Sequence, residues 1–255
     1  MANAVREIRK VDGLVADPIS KAKSLRKFGR KDDLATTAAL IANIPGDPSF
    51  LTTDAITSVV SDDASDTSAF LVEGHTIDGS GNLTFVVQTG TLTGQTPVVL
   101  DTPLARASRF VNISATEYVG TISVYEGGAA PGGVVTDDNE VHVSLPAGLQ
   151  QSFKAQTSVS HEDYFIVTCV AASVLRQQSR NVDFTFETRS TTGVWLPKFQ
   201  FGAASTGSSF VQVDLEPVVI VPPNTDVRIT GSASSTATAV TAFFAGYLLS
   251  KTGTS

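Results

Sequence analysis

From about residue 50 onward, apolar and polar positions alternate with the two-residue period of strands, not the 3.6-residue period of helices. Val182, Phe184 and Phe186 alternate with Asp183, Thr185 and Glu187. Val211, Val213 and Leu215 do the same with Gln212, Asp214 and Glu216, so each segment offers one apolar face to a core. Runs of this kind, bounded by Gly, Pro, Asp, Asn or Ser, predict strands at 55–60, 69–74, 83–92, 97–100, 110–114 and 120–125. A second set follows at 141–145, 164–172, 181–188, 195–201, 210–221, 226–232 and 240–249. No helical period persists, which argues against βαβ folds and their nucleotide crevices.

The expected fold is all-β: two antiparallel β-sandwich units, the second jelly-roll-like, preceded by an extended basic N-terminal arm. The boundaries read as arm and linker over 1–48, a first sandwich over 49–128, a linker or long hairpin loop over 129–140, and a second sandwich over 141–255. Residues 32–44 fit either a short helix or an extended linker, closed by the Pro45, Gly46, Asp47, Pro48 cluster.

Charge is distributed unevenly. The net charge is −7, yet residues 1–31 hold nine basic side chains against three acidic ones, leaving the other 224 residues at −13. The basic residues are Arg6, Arg9, Lys10, Lys21, Lys23, Arg26, Lys27, Arg30 and Lys31, interleaved with Val5, Ile8, Val11, Leu14, Val15, Ile19, Leu25 and Phe28. With a single aromatic, the segment does not resemble a nucleic-acid-binding arm. Its mixed basic and apolar character suits a groove on an acidic protein neighbour, including another copy of this chain. These nine residues and Phe28 are therefore the candidate partner-binding set, and a homo-oligomer is expected.

Composition narrows the chemistry. Charged residues are 17% of the chain while Ser and Thr together number 56, an unusual balance for a cytosolic enzyme. No run approaches the roughly 20 apolar residues of a membrane helix. The charged amino terminus also lacks the apolar centre of a signal peptide. Neither a membrane span nor a secretion signal is expected. Cys169 is the sole cysteine and lies in an apolar strand, where its thiol is a poor nucleophile. His75, His142 and His161 lack metal-ligand spacing and read as surface or interface residues. The run 77–82 (IDGSGN) reads as a hairpin turn, having no helix after it to receive a phosphate. Asp62, Asp63 and Asp66, and Asp137, Asp138 and Glu140, are read as solvated loop tips, with calcium as the alternative. Trp195, Phe199 and Phe201 alternate and are read as core, not as a sugar-stacking platform. No catalytic residue, cofactor or metal site is assigned, and the chain is not expected to be an enzyme.

The order of motifs resembles a family of virion structural proteins of tailed, marine-type bacteriophages. The resemblance runs from about Leu25 to Leu249. It is carried by SLRKFGRKDDLATT, by the stretch from DDASDTSAFLVEGHTIDGSGNLTF through LARASRFVNIS to GTISVYEGG, and by VHVSLPAGLQQS, DFTFETRS, PPNTDVRITGSASS and AVTAFFAGYLL. The chain departs from that pattern at Lys31 and at 70–72. The resemblance implies a particle component with no catalytic residues. It further implies a place in the virion after assembly in the bacterial host cytoplasm, and contacts with a major capsid protein or with neck or tail subunits. A capsid decoration or cement protein is the leading expectation. A neck, tail or fibre component, or a glycan-binding or glycan-degrading tail module, is the alternative.

Overall fold

A computed structural model describes residues 22–175, 180–205 and 209–251. Among them sixteen strands and no α-helix form: β1 (Ala22–Leu34), β2 (Ala39–Leu40), β3 (Ile56–Ser61), β4 (Ala69–Ile77), β5 (Leu83–Thr91), β6 (Val98–Leu104), β7 (Arg106–Asn112), β8 (Ile122–Tyr125), β9 (Val141–Leu145), β10 (Gln156–Val159), β11 (Asp163–Val174), β12 (Arg180–Ser190), β13 (Leu196–Ser205), β14 (Ser209–Val221), β15 (Thr225–Ala233) and β16 (Thr238–Ser250). The all-β expectation is met. Only two 3-10 turns, Pro131–Gly133 and Asp138–Glu140, interrupt it.

The strands form two sandwiches. One packs the sheet β6–β3–β8–β9 on the sheet β5–β4–β7 around Ile56, Val59, Phe70, Val72, Phe110, Ile122, Val124 and Leu145. The other packs β1–β16–β11–β14 on β10–β15–β12–β13, with β2 paired to β15, around Phe165, Val170, Phe184, Phe186, Val227, Ile229 and Phe244. Burying side chains of this size contributes about 1.5–3 kcal/mol each. If β1 and β10 to β16 are counted as strands one to eight, the two sheets read 1-8-3-6 and 2-7-4-5. This is the strand order of a jelly roll. The first sandwich is thus an insertion between the first and second strands of the second.

This order corrects the expected arm. From Ala22 on, the segment is a strand of its own body, paired antiparallel to β16 from Ala22↔Leu249 to Leu34↔Thr238. Leu34 and Ile41 are fully buried in the jelly-roll core. The reason lies in its alternation. Lys27 and Gly29 face inward while Arg26, Phe28 and Arg30 face outward, so basic residues occupy the solvent side of an edge strand, a common protection for sheet edges. Gly29 is required there, because a Cβ would run into the Ile41 carbonyl and the Ala155 backbone. Residues 32–44 are extended, not helical, and Ile41 donates its N–H to the Ile229 carbonyl (3.1 Å).

Two boundaries also shift. Residues 129–140 form the connection of a hairpin whose strands pair from Ile122↔Leu145 to Tyr125↔Val141, so β9 belongs to the first sandwich, not the second. Val143 and Leu145 bury in the first core. The run 77–82 is the β4–β5 hairpin turn: the Asp78 carboxylate accepts the N–H groups of Ser80 and Asn82 at 2.8 Å each, and Gly81 takes φ +81°.

Removing residues 1–34 is expected to abolish cooperative unfolding of the jelly roll, because it deletes the first strand of the fold. Leu34→Ala in the full chain should cost about 2–5 kcal/mol. Both are checked by thermal and denaturant unfolding. A truncated chain melting as the full-length one does would contradict the β1 assignment.

Candidate functional site

Where the two sandwiches meet, charged side chains are buried. The centre is the carboxylate of Asp226 on β15, fully buried. Arg106, the first residue of β7 and so part of the inserted sandwich, donates from Nε to Oδ1 (3.0 Å) and from Nη2 to Oδ2 (3.2 Å). Its Nη1 bonds the carbonyls of Leu51 and Ala105. Ser158 Oγ donates to Oδ1 at 2.5 Å and Arg189 Nη2 to Oδ2 at 3.0 Å. A buried carboxylate with four charge-assisted donors is held firmly. Its partners come from β7 on one side and from β10 and β12 on the other.

Around this pair lies a surplus of positive groups. Lys154 is buried and donates to the carbonyls of Ala107 (3.0 Å) and His142 (2.7 Å). Burial first, then the nearby Lys27 and Arg106, push its ammonium down to about 7. Lys27 on β1 reaches across the junction to the Ser108 carbonyl (3.2 Å) and is lowered by burial to about 8. His75 and His142 are each pushed down to about 3, chiefly by burial. His142 Nε2 stands 2.9 Å from Glu126 Oε1, a contact that favours a charged ring, but burial and the charges of Lys154 and Arg106 outweigh it. The neutral ring then donates Nε2–H to the carboxylate. His75 Nδ1 has no hydrogen-bond partner among the described residues.

At the mouth of the junction, arginines and aromatic rings interleave. The guanidinium of Arg189 lies 3.7 Å from the Phe50 ring centroid, and that of Arg228 lies 3.9 Å from Trp195. Arg228 Nε donates to Glu187 Oε2 at 2.7 Å. Phe50 and Trp195 meet edge to face at 5.1 Å. A small cleft here is lined by Asp47, Phe50, Arg106, His142, Lys154 and Arg228, among others. Trp195 is therefore not core: it packs the jelly roll, through Arg189 and Arg228, against Phe50 of the connection that precedes β3. Arrangements of this kind join domains; among the described residues that line the cleft, Asp47 is the one that carries a carboxyl group.

The candidate partner-binding residues are dispersed. Arg6, Arg9, Lys10 and Lys21 lie outside the described residues. Lys27 is buried in the junction, and Lys31 is mostly buried with its ammonium 3.4 Å from Asp33. Arg30 Nε donates to Asp32 Oδ1 within its own strand at 2.8 Å. Arg26 and Phe28 remain exposed on the outer side of β1, and Lys23 is exposed near its start on the side that Lys27 and Gly29 share. The acidic loops are occupied. Asp66 is buried and accepts from Ser61 Oγ (2.6 Å), Val119 N (2.8 Å) and Gly120 N (2.9 Å), so it anchors a loop and is no solvated tip. Asp137 caps a 3-10 turn through Asn139 N. Among the described residues no group of three or more His, Cys, Asp or Glu could hold a metal ion. The Cys169 thiol is pushed up by burial and by Asp214.

Arg106, Lys154 and Asp226 were not singled out by sequence reasoning. The available signal was an isolated charge inside a strand-like run, as in LARASRF, QSFKAQ and NTDVRIT.

No protein-family model matches the sequence, and no curated protein matches it. Solved structures similar to this chain include infectious bursal disease virus, Gx strain, at 10% identity over 91% of this chain and 73% of that one, with a TM-score of 0.28. The VP2 subviral particle of that virus is similar at 10% identity over 92% and 73%, TM-score 0.26. An isomalto-dextranase of Arthrobacter globiformis T6 complexed with panose is similar at 9% identity over 90% of this chain, TM-score 0.26, and this chain spans 35% of its length. Likeness at these scores carries no argument, and the jelly-roll assignment rests on strand order alone.

Asp226→Asn should leave Arg106 and Arg189 buried without a counter-charge and cost about 3–5 kcal/mol, read by chemical denaturation. The titrating groups set a pH dependence. Both histidines have folded values below their ordinary 6.5, so the unfolded chain binds more protons between about pH 3 and 6.5, and stability falls on acidification through that window. Lys154 and Lys27, lowered to about 7 and about 8, make stability rise with pH from there toward 10.5. The melting temperature is therefore expected to climb from pH 4 to pH 9. His75→Leu should flatten the acid limb and Lys154→Met the alkaline one.

Proposed function

We propose that the chain is a structural component of a tailed-phage virion, acting as a capsid decoration or cement subunit that binds assembled capsid protein. The observation that carries this reading is the architecture. A jelly roll bears a second sandwich inserted after its first strand, and the two are tied by a buried ion network. Such a joint fixes loops and sheet faces of both sandwiches as contact surface without a mobile linker. The sequence resemblance to tailed-phage virion structural proteins, over Leu25 to Leu249, supports the same reading. Under it the partners are other virion proteins, and membrane and nucleic acid play no part in recruitment.

A neck, tail or fibre position fits the same architecture. A glycan-binding or glycan-degrading module needs an open aromatic platform or two facing carboxyl groups. Trp195, a candidate for the first, carries the guanidinium of Arg228 over its ring, which favours the structural reading.

Purified chain added to particles assembled without it should bind to saturation at a fixed number of copies, and cryo-electron microscopy of those particles should place it on the capsid surface. Density at the neck or tail would replace the decoration role with the runner-up. Depolymerisation of a host glycan, lost on substituting Asp137 and Glu140, would overturn the structural reading.

A further inference from the structure

The outer side of the jelly-roll sheet β1–β16–β11–β14 is apolar, and among the described residues no sheet of this chain is packed on it; at its β1 edge the Phe153 ring meets Phe28 edge to face at 5.3 Å. On β16, Val240, Ala242 and Phe244 face the core, while Thr241, Phe243, Ala245, Tyr247 and Leu249 face out and are partly exposed. On β11, Tyr164, Ile166, Ala171 and Ser173 share that side. Neither central strand carries a charged residue between Tyr164 and Val174 or between Thr238 and Leu249. The register aligns two rows across the sheet. In one, Phe28 sits opposite Phe243, which stacks with Phe210 at 6.5 Å. In the other, Tyr247 and Ile220 flank Ile166. Phe210 and Ile220 are 60% and 58% exposed, and Phe28 and Tyr164 about two-fifths. Contiguous exposed apolar surface of this kind marks an interaction site.

The two edges of the face carry opposite charge. Arg26 and Arg30 flank Phe28 on β1. On β14, Val211, Val213 and Leu215 pack inward, so Gln212, Asp214 and Glu216 lie on the outer side with Phe210. A two-fold axis lying along the strands lays β1 of one copy over β14 of the other. That superposes basic edge on acidic edge twice and places Phe243 against its own counterpart near the axis. An axis across the strands would instead stack the basic edge on itself. Repulsion between like edges selects the first arrangement, which is closed and self-complementary, as an isologous dimer requires.

We infer that this face is a homodimer interface, in which two copies pack their β1–β16–β11–β14 sheets face to face about an axis along the strands, with Arg26 of each copy meeting the Asp214 edge of the other. The inference is independent of the virion reading, since it concerns the purified chain alone.

The test is light scattering during size exclusion of the full chain from about 1 to 100 μM, with a dissociation constant from analytical ultracentrifugation. A mass of two chains is expected. Phe210→Glu, at a position too exposed to matter for folding, should weaken the dimer at least about ten-fold. Arg26→Glu and Asp214→Arg should each weaken it, and the double variant should regain most of the loss. Thermal unfolding of every variant separates dissociation from misfolding. A monomer across the whole range overturns the inference. So does a double swap as weak as the two single changes combined, which would show that the edges do not meet. If a dye for apolar surface brightens only when residues 1–21 are removed, the face belongs to the chain's own N-terminal segment, and the dimer assignment fails.

Discussion

A carboxylate with no access to water must find its counter-charges in the protein, and Asp226 finds them in both sandwiches. Stripping an ion of this kind of its hydration costs several kcal/mol even after relaxation, so the pair holds only while Arg106 and Arg189 stay in place. Arg106 belongs to the inserted sandwich, and Arg189 and Ser158 to the jelly roll. The relative placement of the sandwiches thus becomes a condition for the charge to be tolerated. Apolar packing at a junction rewards many orientations, whereas a bidentate guanidinium–carboxylate contact rewards one.

The insertion makes such a lock necessary. The chain leaves the jelly roll after β2 and returns at β10, so two connections span the junction. Neither is held by regular pairing over most of its length. Short crossings alone leave the inserted sandwich free to rock. Lys27 and Lys154 add contacts across the same plane, one from β1 to the Ser108 carbonyl and one from the return segment to Ala107 and His142. Their cost appears in the lowered ammonium values, because carbonyl oxygens replace hydration only in part. Stability spent in this way yields a fixed geometry, which suits a protein that offers surfaces to partners.

How far the sequence discloses this differs by element. Strands such as β12 are legible because Val182, Phe184 and Phe186 alternate with polar residues and the core takes them as the pattern implies. The first strand is not. Its inward positions include Lys27 and Gly29, and its outward ones Arg26 and Arg30, so an apolar-alternation test sees only a basic run. β10, read as QTSV, is fully buried but polar, because Ser158 serves Asp226. The Asp226 site stays hidden for a related reason. Its donors lie 37, 68 and 120 residues away, and only the sheet order brings them together. The fold class is thus written locally, while the junction is written in long-range pairings that alternation does not encode.

Sheet order also sets how far apart in the chain the paired strands lie. All pairings within the inserted sandwich lie between Ile56 and Leu145, whereas β1 pairs with β16, the first described strand with the last. Contacts between distant residues must meet the entropy of closing long loops before they stabilise anything. The strands of the inserted sandwich therefore find their strand partners within a shorter stretch of chain than β1 and β16 do. β1 is an edge strand whose strand partner is β16, and it carries Lys23, Arg26, Lys27, Arg30 and Lys31 along its length. Charge repulsion between such strands opposes their pairing with one another. The basic run that looks like an arm is thus the opening strand of a jelly roll, with a charge pattern that opposes edge-to-edge pairing with its own kind.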